Sequence, residues 1–260
     1  MNSRLWVWFL SNGQLPFVPD KETNVIVQEK IPEGLSEDID SLYVSLPYVS
    51  RPDDEETIKK SLKDFSGDER VKGIIIHNTE ELFIVKESGF SKEKIAGPGL
   101  YAWNKESVRV LLNDLDMLMY PYELSKYELK DTGYKDGIMC VYGRTPLMIT
   151  ANCVRKIENA CIKGNGAPFS YIRDRKNKEL PVLFRCDYCY NIIYNADVTS
   201  LHEYIKKDID FTGNLLLYFT DEDGKTAYSV YDFYKELLKG RTLTFPVEEY
   251  TKAYFNHGVD

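Results

Sequence analysis

The sequence predicts an α/β fold, a TIM-like (β/α)8 barrel with a cysteine-bearing insertion between strands 7 and 8. Two observations lead to this prediction. Short apolar runs recur along the chain, and amphipathic helix patterns lie between several of them. The last strand and helix then follow a long stretch that has neither pattern, residues 145–213. We therefore expect one barrel domain, 1–260, interrupted once by the insertion 145–213.

The predicted strands are runs rich in β-branched and aromatic residues, bounded by turn-forming residues. Strand and helix patterns that alternate with short connections are typical of parallel sheets built from right-handed crossovers. Seven predicted strands precede residue 145 and the eighth follows the insertion, at 5–10, 24–29, 42–49, 72–77, 94–102, 117–123, 137–143 and 214–219.

The predicted helices have recognisable start signals. Residues 52–56, a proline followed by four acidic residues, open an amphipathic run with its apolar residues on one face. Thr79 and Asn104 are the predicted N-caps of the next two helices. A further helix is predicted at 227–239, after the eighth strand. These helices would form the outer layer of the barrel.

Composition and charge exclude several classes of protein. The chain has 260 residues and a net charge of −8, which disfavours a protein that coats nucleic acid by bulk charge but leaves a local basic groove open. The apolar runs are much shorter than the roughly 20 residues needed to cross a bilayer, so no membrane association is expected. The N-terminus lacks the features of a secretory signal, and we expect a cytoplasmic protein.

Four of the five cysteines lie inside the predicted insertion. Cys153, Cys161, Cys186 and Cys189 have the spacing C-x7-C-x24-C-x2-C, and the last two form a knuckle that can supply half of a tetrahedral thiolate site. Such a set suits a structural zinc or an iron–sulfur cluster, and unliganded thiols are the third interpretation. The fifth cysteine, Cys140, lies in an apolar strand and is expected to be buried and inert.

Three polar residues near predicted strand ends are candidate catalytic residues, because chemistry in a barrel takes place at the carboxyl ends of the strands. Glu123 could act as a base or orient a polar substrate, and Arg144 could bind a phosphate or carboxylate. Asn104 is the third candidate. Each has a structural alternative; Asn104 in particular can be a helix cap and Glu123 a first-turn helix charge.

Several motifs together resemble one protein family. They are Tyr142–Met148, Ala151–Cys153, Arg173–Arg175, Cys186–Asn191 and Tyr194–Asn195, with weaker blocks at 46–51, 103–104, 123–125 and 251–259. In these residues the chain is similar to the C-terminal portion of the long bacterial collagenase-like peptidases, the peptidase U-thirty-two family.

This resemblance implies both a cofactor and a reaction. It implies a TIM-like barrel with a four-iron four-sulfur cluster on Cys153, Cys161, Cys186 and Cys189, with zinc as the alternative. Some relatives hydroxylate tRNA, ribosomal RNA or a quinone precursor, so the expected function is an iron–sulfur module in RNA or small-molecule hydroxylation. The expected partners are the N-terminal domain of a longer parent chain and an RNA or small-molecule substrate.

Two other functions stay open at this point. The family name implies a protease, although the sequence contains no HExxH or GxSxG motif and only three histidines. The third hypothesis is a non-catalytic scaffold domain whose cysteines bind zinc or nothing.

Overall fold

Most of the chain folds into two β-sheets and six α-helices, seen in a computed structural model that describes residues 3–10, 19–157, 161, 167–205 and 207–259. Every structural statement below refers to these residues. The strands of the larger sheet, sheet A, are β1 Arg4–Phe9, β2 Asn24–Gln28, β3 Leu42–Ser45, β4 Val71–Ile76, β5 Glu93–Ala96, β6 Met117–Leu118, β7 Ile138–Gly143, β12 Thr199–Ser200 and β13 Asn214–Phe219. Those of the smaller sheet, sheet B, are β8 Pro146–Thr150, β9 Phe169–Arg173, β10 Glu179–Arg185 and β11 Tyr190–Tyr194.

Sheet A has the strand order β12-β7-β13-β1-β2-β3-β4-β5-β6. All neighbouring strands are parallel except β12, which runs antiparallel to β7. The central strand β1 is buried on both faces, since Trp6, Val7 and Trp8 have no exposed surface. Burial on both faces explains why these strands are continuous apolar runs in the sequence.

The helices cover sheet A, and their bounds are α1 Glu55–Gly67, α2 Thr79–Ser88, α3 Lys105–Leu111, α4 Lys126–Asp131, α5 Val154–Ile157 and α6 Gly224–Leu238. As predicted, α1 buries the face with Ile58, Leu62 and Phe65. The N-cap of α2 is Asn78, one residue before the predicted Thr79, and its side-chain oxygen accepts a hydrogen bond from the backbone N–H of Glu81.

Sheet B is antiparallel, with the order β8-β11-β10-β9. It belongs to the predicted insertion and lies over the carboxyl ends of several sheet A strands. Tyr190 in β11 accepts a hydrogen bond from the backbone N–H of Tyr48, just after β3. Tyr194 contacts Tyr218 of β13 through their hydroxyls. Sheet B therefore covers the edge of sheet A where a parallel sheet usually carries its functional residues.

The predicted (β/α)8 barrel with an insertion between strands 7 and 8 is wrong. Sheet A is a curved, mixed half-barrel of nine strands, and the described residues contain only six α-helices. Strand β6 has two residues, and one isolated bridge, Met119 to Ile138, stands where a closed barrel would have a full ladder. The connection 29–41 between β2 and β3 contains no helix.

The barrel prediction fails because an apolar run in the sequence does not distinguish a closed barrel from an open sheet. A parallel strand buried on both faces has the same pattern in a closed barrel and in an open sheet, so the run does not reveal whether the edges meet. The run predicted as a strand at 117–123 forms only two strand residues before Pro121 interrupts it.

Among the described residues, none of the helices has the length and apolar character needed to span a membrane.

Candidate functional site

The two edges of sheet A approach each other without closing, and this seam contains a pocket. The short β6 leaves the carboxyl half of β7 without a partner from β6. Instead, β12 pairs with Tyr142 and Gly143 of β7, and Thr251 in turn forms a bridge with Thr199 of β12. We call the opening between the β6–α4 connection, β7 and residues 251–255 the seam pocket.

The seam pocket is mainly apolar with a few polar groups. It contains about 420 Å³ of empty space, a figure that includes open solvent, and the space that the centre of a water molecule can reach is about 20 Å³, enough for roughly one water. Its polar side chains come from Tyr122, Cys140, Thr145, Thr199 and Lys252. The apolar lining is formed by Tyr120, Pro121, Leu124, Met139, Leu201, Ala253 and Phe255.

Gly143 shapes the wall of this pocket. Its φ angle is +139°, which side-chain-bearing residues rarely adopt, and a Cβ atom there would overlap the carbonyl oxygen of Tyr218 in β13. The close approach of β7 and β13 at this point therefore requires glycine.

Tyr122 carries the most informative polar atom of the seam pocket. Its hydroxyl oxygen is buried and has no hydrogen-bond partner among the described residues. Burial raises the pKa of Tyr122 well above its usual value, and the nearby Cys140, Tyr48 and Tyr194 raise it further. A buried hydroxyl without a partner costs about 1–3 kcal/mol, so a ligand or water that pairs with it would recover stability.

The thiol of Cys140 faces the same pocket and is chemically quiet. Burial raises its pKa to about 12, although a hydrogen bond to the carbonyl oxygen of Tyr142 partly opposes this shift. The thiol is therefore protonated at neutral pH and is a poor nucleophile. The protonated thiol agrees with the predicted inert cysteine, but Cys140 is half-buried and not buried as the sequence predicted.

Behind the seam pocket, aromatic residues from separate strands converge under sheet B. The hydroxyls of Tyr194 and Tyr218 lie 2.8 Å apart, and the Tyr218 ring contacts Trp8 with 4.9 Å between ring centroids. The indole N–H of Trp8 and the hydroxyl of Tyr48 are buried without a partner among the described residues. We call Trp8, Tyr48, Tyr194 and Tyr218 the aromatic cluster.

A serine–histidine pair lies beside this cluster. Ser45 Oγ and His77 Nε2 are 2.8 Å apart, the spacing of a nucleophile and its base. Both residues are almost completely buried, with exposed fractions of 0% and 2%, and the imidazole stacks on Tyr48 with 3.7 Å between ring centroids. Burial lowers the pKa of His77 to about 3, so it is a weak base at neutral pH.

The other ring nitrogen of His77 has no acid partner. Nδ1 makes no hydrogen bond with any described residue, and the backbone of Gly97 packs so closely against it that a Cβ atom would overlap the ring. A hydrolytic triad needs a group that orients the base through this nitrogen. The Ser45–His77 pair is therefore a packing element of the core.

Sheet B is fixed over the aromatic cluster by a buried ion pair. Arg185 of β10 contacts both carboxylate oxygens of Glu29 at 3.0 and 2.5 Å, and the Tyr190 hydroxyl donates to the same carboxylate at 2.7 Å. Burial alone would lower the pKa of Arg185, but Glu29 outweighs this effect and the pKa is raised. The pair leaves no net charge next to the cluster.

The three predicted catalytic residues lie in different places. Arg144 donates to Asp221 at 2.7 Å and to the carbonyl oxygens of Asn195 and Ala196, so its guanidinium ties the end of sheet B to β13. Glu123 is half-buried and adjoins Tyr122 of the seam pocket. Asn104 is exposed and caps α3 by accepting from the backbone N–H groups of Glu106 and Ser107. The structure does not bring the three together, and their catalytic roles stay predictions.

Three of the four predicted metal ligands adjoin strands of sheet B: Cys153 follows β8, and Cys186 and Cys189 lie between β10 and β11. Cys161, Cys186 and Cys189 are exposed and Cys153 is half-buried. Arg51 holds the Cys186–Cys189 turn by donating to the carbonyl oxygens of Tyr188 and Cys189. No three His, Cys, Asp or Glu side chains among the described residues are grouped to hold a metal. The thiols fit a metal chemically, but this arrangement does not gather them.

Sequence reasoning missed the seam pocket and the partnerless hydroxyl of Tyr122. A signal was present in residues 117–123, where Pro121 interrupts the run and Tyr120 and Tyr122 flank it. A proline inside a predicted strand indicates an edge or a break in the sheet, and a break in a parallel sheet is where pockets form.

Comparisons with known proteins add only a likeness in fold. No family model matches the chain, and no curated protein matches it significantly. Among solved structures, the chain is similar to the U32 peptidase Mk0906, with a TM-score of 0.49 and 9% sequence identity, over 85% of this chain and 94% of that one. A likeness at this level does not show the family of this chain, and it does not test the predicted match to a C-terminal portion.

Proposed function

We propose that this chain binds a small, uncharged molecule in the seam pocket. The observation that carries the proposal concerns Tyr122, which is one of the residues that line this mainly apolar pocket and whose buried hydroxyl has no hydrogen-bond partner among the described residues. Ligand sites are typically apolar clefts with a few polar groups that fix orientation, and this pocket has that composition.

The charges around the pocket favour an uncharged ligand. Lys252, which lines the pocket, is already paired with Glu203 at 2.5 Å. Behind the pocket, Arg185 is neutralised by Glu29. A charged ligand would lose its hydration without gaining a free counter-ion, which is costly in a buried site. A small molecule with one hydroxyl suits the lining better, with its hydroxyl near Tyr122 and its apolar part on the apolar residues, whose side chains have to move to admit a ring.

The chemistry of the pocket supports binding without a covalent step. The Cys140 thiol is protonated, and the Ser45–His77 pair is enclosed in the core. A protease, the alternative that the family name implies, would need a different nucleophile. Incubation with gelatin or casein tests that alternative, and cleavage that survives Ser45→Ala would place the activity elsewhere.

A double comparison tests the binding proposal. p-Cresol and toluene are titrated into the wild type and into Tyr122→Phe, with binding followed by NMR chemical-shift changes. We expect p-cresol to bind the wild type about tenfold more tightly than Tyr122→Phe, because about 1.4 kcal/mol of hydrogen bonding is lost. Toluene should bind both equally.

The control variant is Tyr127→Phe, which removes a hydroxyl from a residue that is 67% exposed. It should bind p-cresol like the wild type. If p-cresol does not bind, or binds equally to the wild type and Tyr122→Phe, then the seam pocket is not the ligand site.

A thiolate metal centre is the second candidate, and strand register favours it. Thr150 of β8 lies opposite Asn191 of β11, and the Asn191 side chain donates to the carbonyl oxygen of Asn152 at 3.0 Å. This register places Cys153 and the Cys186–Cys189 turn at the same end of sheet B. An iron–sulfur cluster, or zinc, would need these thiols to move closer together, and hydroxylation of RNA or a small molecule would depend on that centre.

Metal analysis tests the second candidate. Protein purified without oxygen should contain iron and sulfide, or zinc, and the double variant Cys186→Ser/Cys189→Ser should lose it. Cys140→Ser is the matched control, since that thiol lies in β7 and should not affect metal content. Wild-type protein without metal would contradict this candidate and leave the pocket proposal intact.

A further inference from the structure

One edge of sheet B is unprotected. Strand β8 is the edge strand next to β11, and its outer side pairs with no other described strand. Leu147, Met148 and Ile149 are three consecutive apolar residues with exposed fractions of 52%, 56% and 39%. Successive residues of a strand point to opposite faces, so β8 presents apolar side chains on both faces together with its free backbone groups.

The opposite edge of the same sheet carries charged side chains at one end, although residues 169–172 of its edge strand β9 are uncharged. Strand β9 ends at Arg173, which pairs with Glu179 at 2.7 Å, and the turn that follows carries Asp174, Arg175 and Lys176. Charged side chains at an edge discourage another strand from adding to it. Residues 145–154, in contrast, contain no charged side chain.

We propose that β8 pairs with β8 of a second copy of this chain, antiparallel about a two-fold axis at Met148. The two sheets B would then form one eight-stranded antiparallel sheet. In this register Met148 faces its own counterpart, and Leu147 faces Ile149 of the second copy.

The charge pattern favours a second copy as the occupant. The chain carries a net charge of −8, so most self-contacts bring like charges together. Pairing through the uncharged stretch 145–154 avoids this repulsion, because β8 has no charged side chain that could face a like charge across the two-fold axis. A two-fold pairing also satisfies both free edges at once with identical surfaces.

The test uses charge pairs at the axis and is independent of ligand binding. We expect the full chain to be a dimer by sedimentation equilibrium, and Met148→Lys and Met148→Glu each to weaken the dimer about a hundredfold, because like charges then face each other. An equimolar mixture of the two variants should restore a dimer, since opposite charges then meet at the same position.

Leu243→Lys is the control variant. It places the same charge on a residue that is 47% exposed but outside sheet B, and the dimer should persist. A monomeric wild type would overturn the proposal and indicate that another protein or another part of a parent chain covers β8. A dimer that survives both Met148 substitutions, or a mixture that stays monomeric, would also overturn it.

Discussion

Sheets A and B lie in contact but are stabilised in different ways. In sheet A, strands β2 and β3 are buried at every position, and β1 and β13 at all but the first. In sheet B, β8 and β9 have no fully buried residue, and only β10 and β11 contain buried runs. Apolar burial therefore dominates the stability of sheet A.

Sheet B combines the buried runs of β10 and β11 with polar contacts to residues far away in sequence. Arg185 binds Glu29, Arg51 binds the carbonyl oxygens of Tyr188 and Cys189, and Arg144 binds those of Asn195 and Ala196. Directional contacts of this kind fix a position, but each is lost when a single partner is removed. A sheet whose two edge strands have no buried residue is thus held over a site by its two inner strands together with three half-buried arginines.

The largest expected effect comes from the core of sheet A. Trp6 is fully buried and packs against Tyr43 with 4.8 Å between ring centroids. We expect Trp6→Ala to lower the free energy of unfolding by about 3–5 kcal/mol, because it removes a large buried ring. Leu147→Ala in β8, at 52% exposure, should change the free energy of unfolding by less than about 0.5 kcal/mol when it is made in Met148→Lys, in which β8 is expected to be unpaired. Urea unfolding of both variants checks this, and similar losses would contradict the contrast between the sheets.

The next effect is expected where the two sheets meet. Glu29→Gln leaves the Arg185 guanidinium buried without its counter-ion, which should cost about 2–4 kcal/mol in the docking of sheet B. Hydrogen exchange should speed up in β10 and β11 while β1 and β13 keep their protection. Lys30→Gln is the matched control, since the Lys30–Asp187 pair is 74% and 63% exposed. Equal protection in the wild type and Glu29→Gln would show that the pair does not hold sheet B.

A third effect should appear as a dependence of stability on pH. Burial raises the pKa of Glu81 from 4.5 to about 8, so the folded protein keeps a proton that the unfolded chain has already released between these values. Between pH 4.5 and pH 6.5 His77 opposes this effect, because its lowered pKa lets the unfolded chain bind a proton that the folded protein does not. Stability should therefore fall mainly as pH rises from 6.5 to about 8, by up to about 1.4 kcal/mol per pH unit. Glu81→Gln should remove this slope. The glutamine keeps a side-chain oxygen that can accept the hydrogen bond from the backbone N–H of His77.

The matched control for this prediction is the exposed neighbour Glu80. Glu80→Gln should leave the slope unchanged, because Glu80 is exposed and its replacement leaves the burial of Glu81 as it is. Thermal unfolding of the three proteins between pH 4.5 and pH 8 is the measurement. A slope that persists in Glu81→Gln would assign it to another group.

The sequence predicted the local features of this fold and missed the long-range ones. The apolar runs of β1, β4 and β13 and the capping asparagine Asn104 are visible in neighbouring residues, and the structure confirms them. The Glu29–Arg185 pair joins residues 156 positions apart, and no local pattern relates them. The truncated β6, and therefore the seam pocket, depends on where two distant strands stop pairing.

Prediction of the site was limited for the same reason, because local motifs are visible in the sequence and long-range contacts are not. The cysteine spacing drew attention to residues 145–213, because a CxxC turn is a local motif, but it could not show that Cys161, Cys186 and Cys189 are exposed. Tyr122 gave no motif at all. Tyr122 stands out because its buried hydroxyl has no hydrogen-bond partner among the described residues. That burial arises from distant chain segments that pack around it, and the sequence does not show which segments these are.

The smallest expected effect concerns Asn104, and it separates a structural role from a catalytic one. The Asn104 side chain accepts hydrogen bonds at 3.0 and 2.9 Å from two backbone N–H groups at the start of α3. Asn104→Ala should lower the free energy of unfolding by about 0.5–1 kcal/mol, and Asn104→Ser, which can still cap the helix, should lose much less. Because Asn104 lies on the surface and is not among the residues that line the seam pocket, both variants should bind p-cresol like the wild type. Equal loss of stability in both variants would contradict the capping role. Weaker p-cresol binding by Asn104→Ala at unchanged stability would restore Asn104 as a site residue.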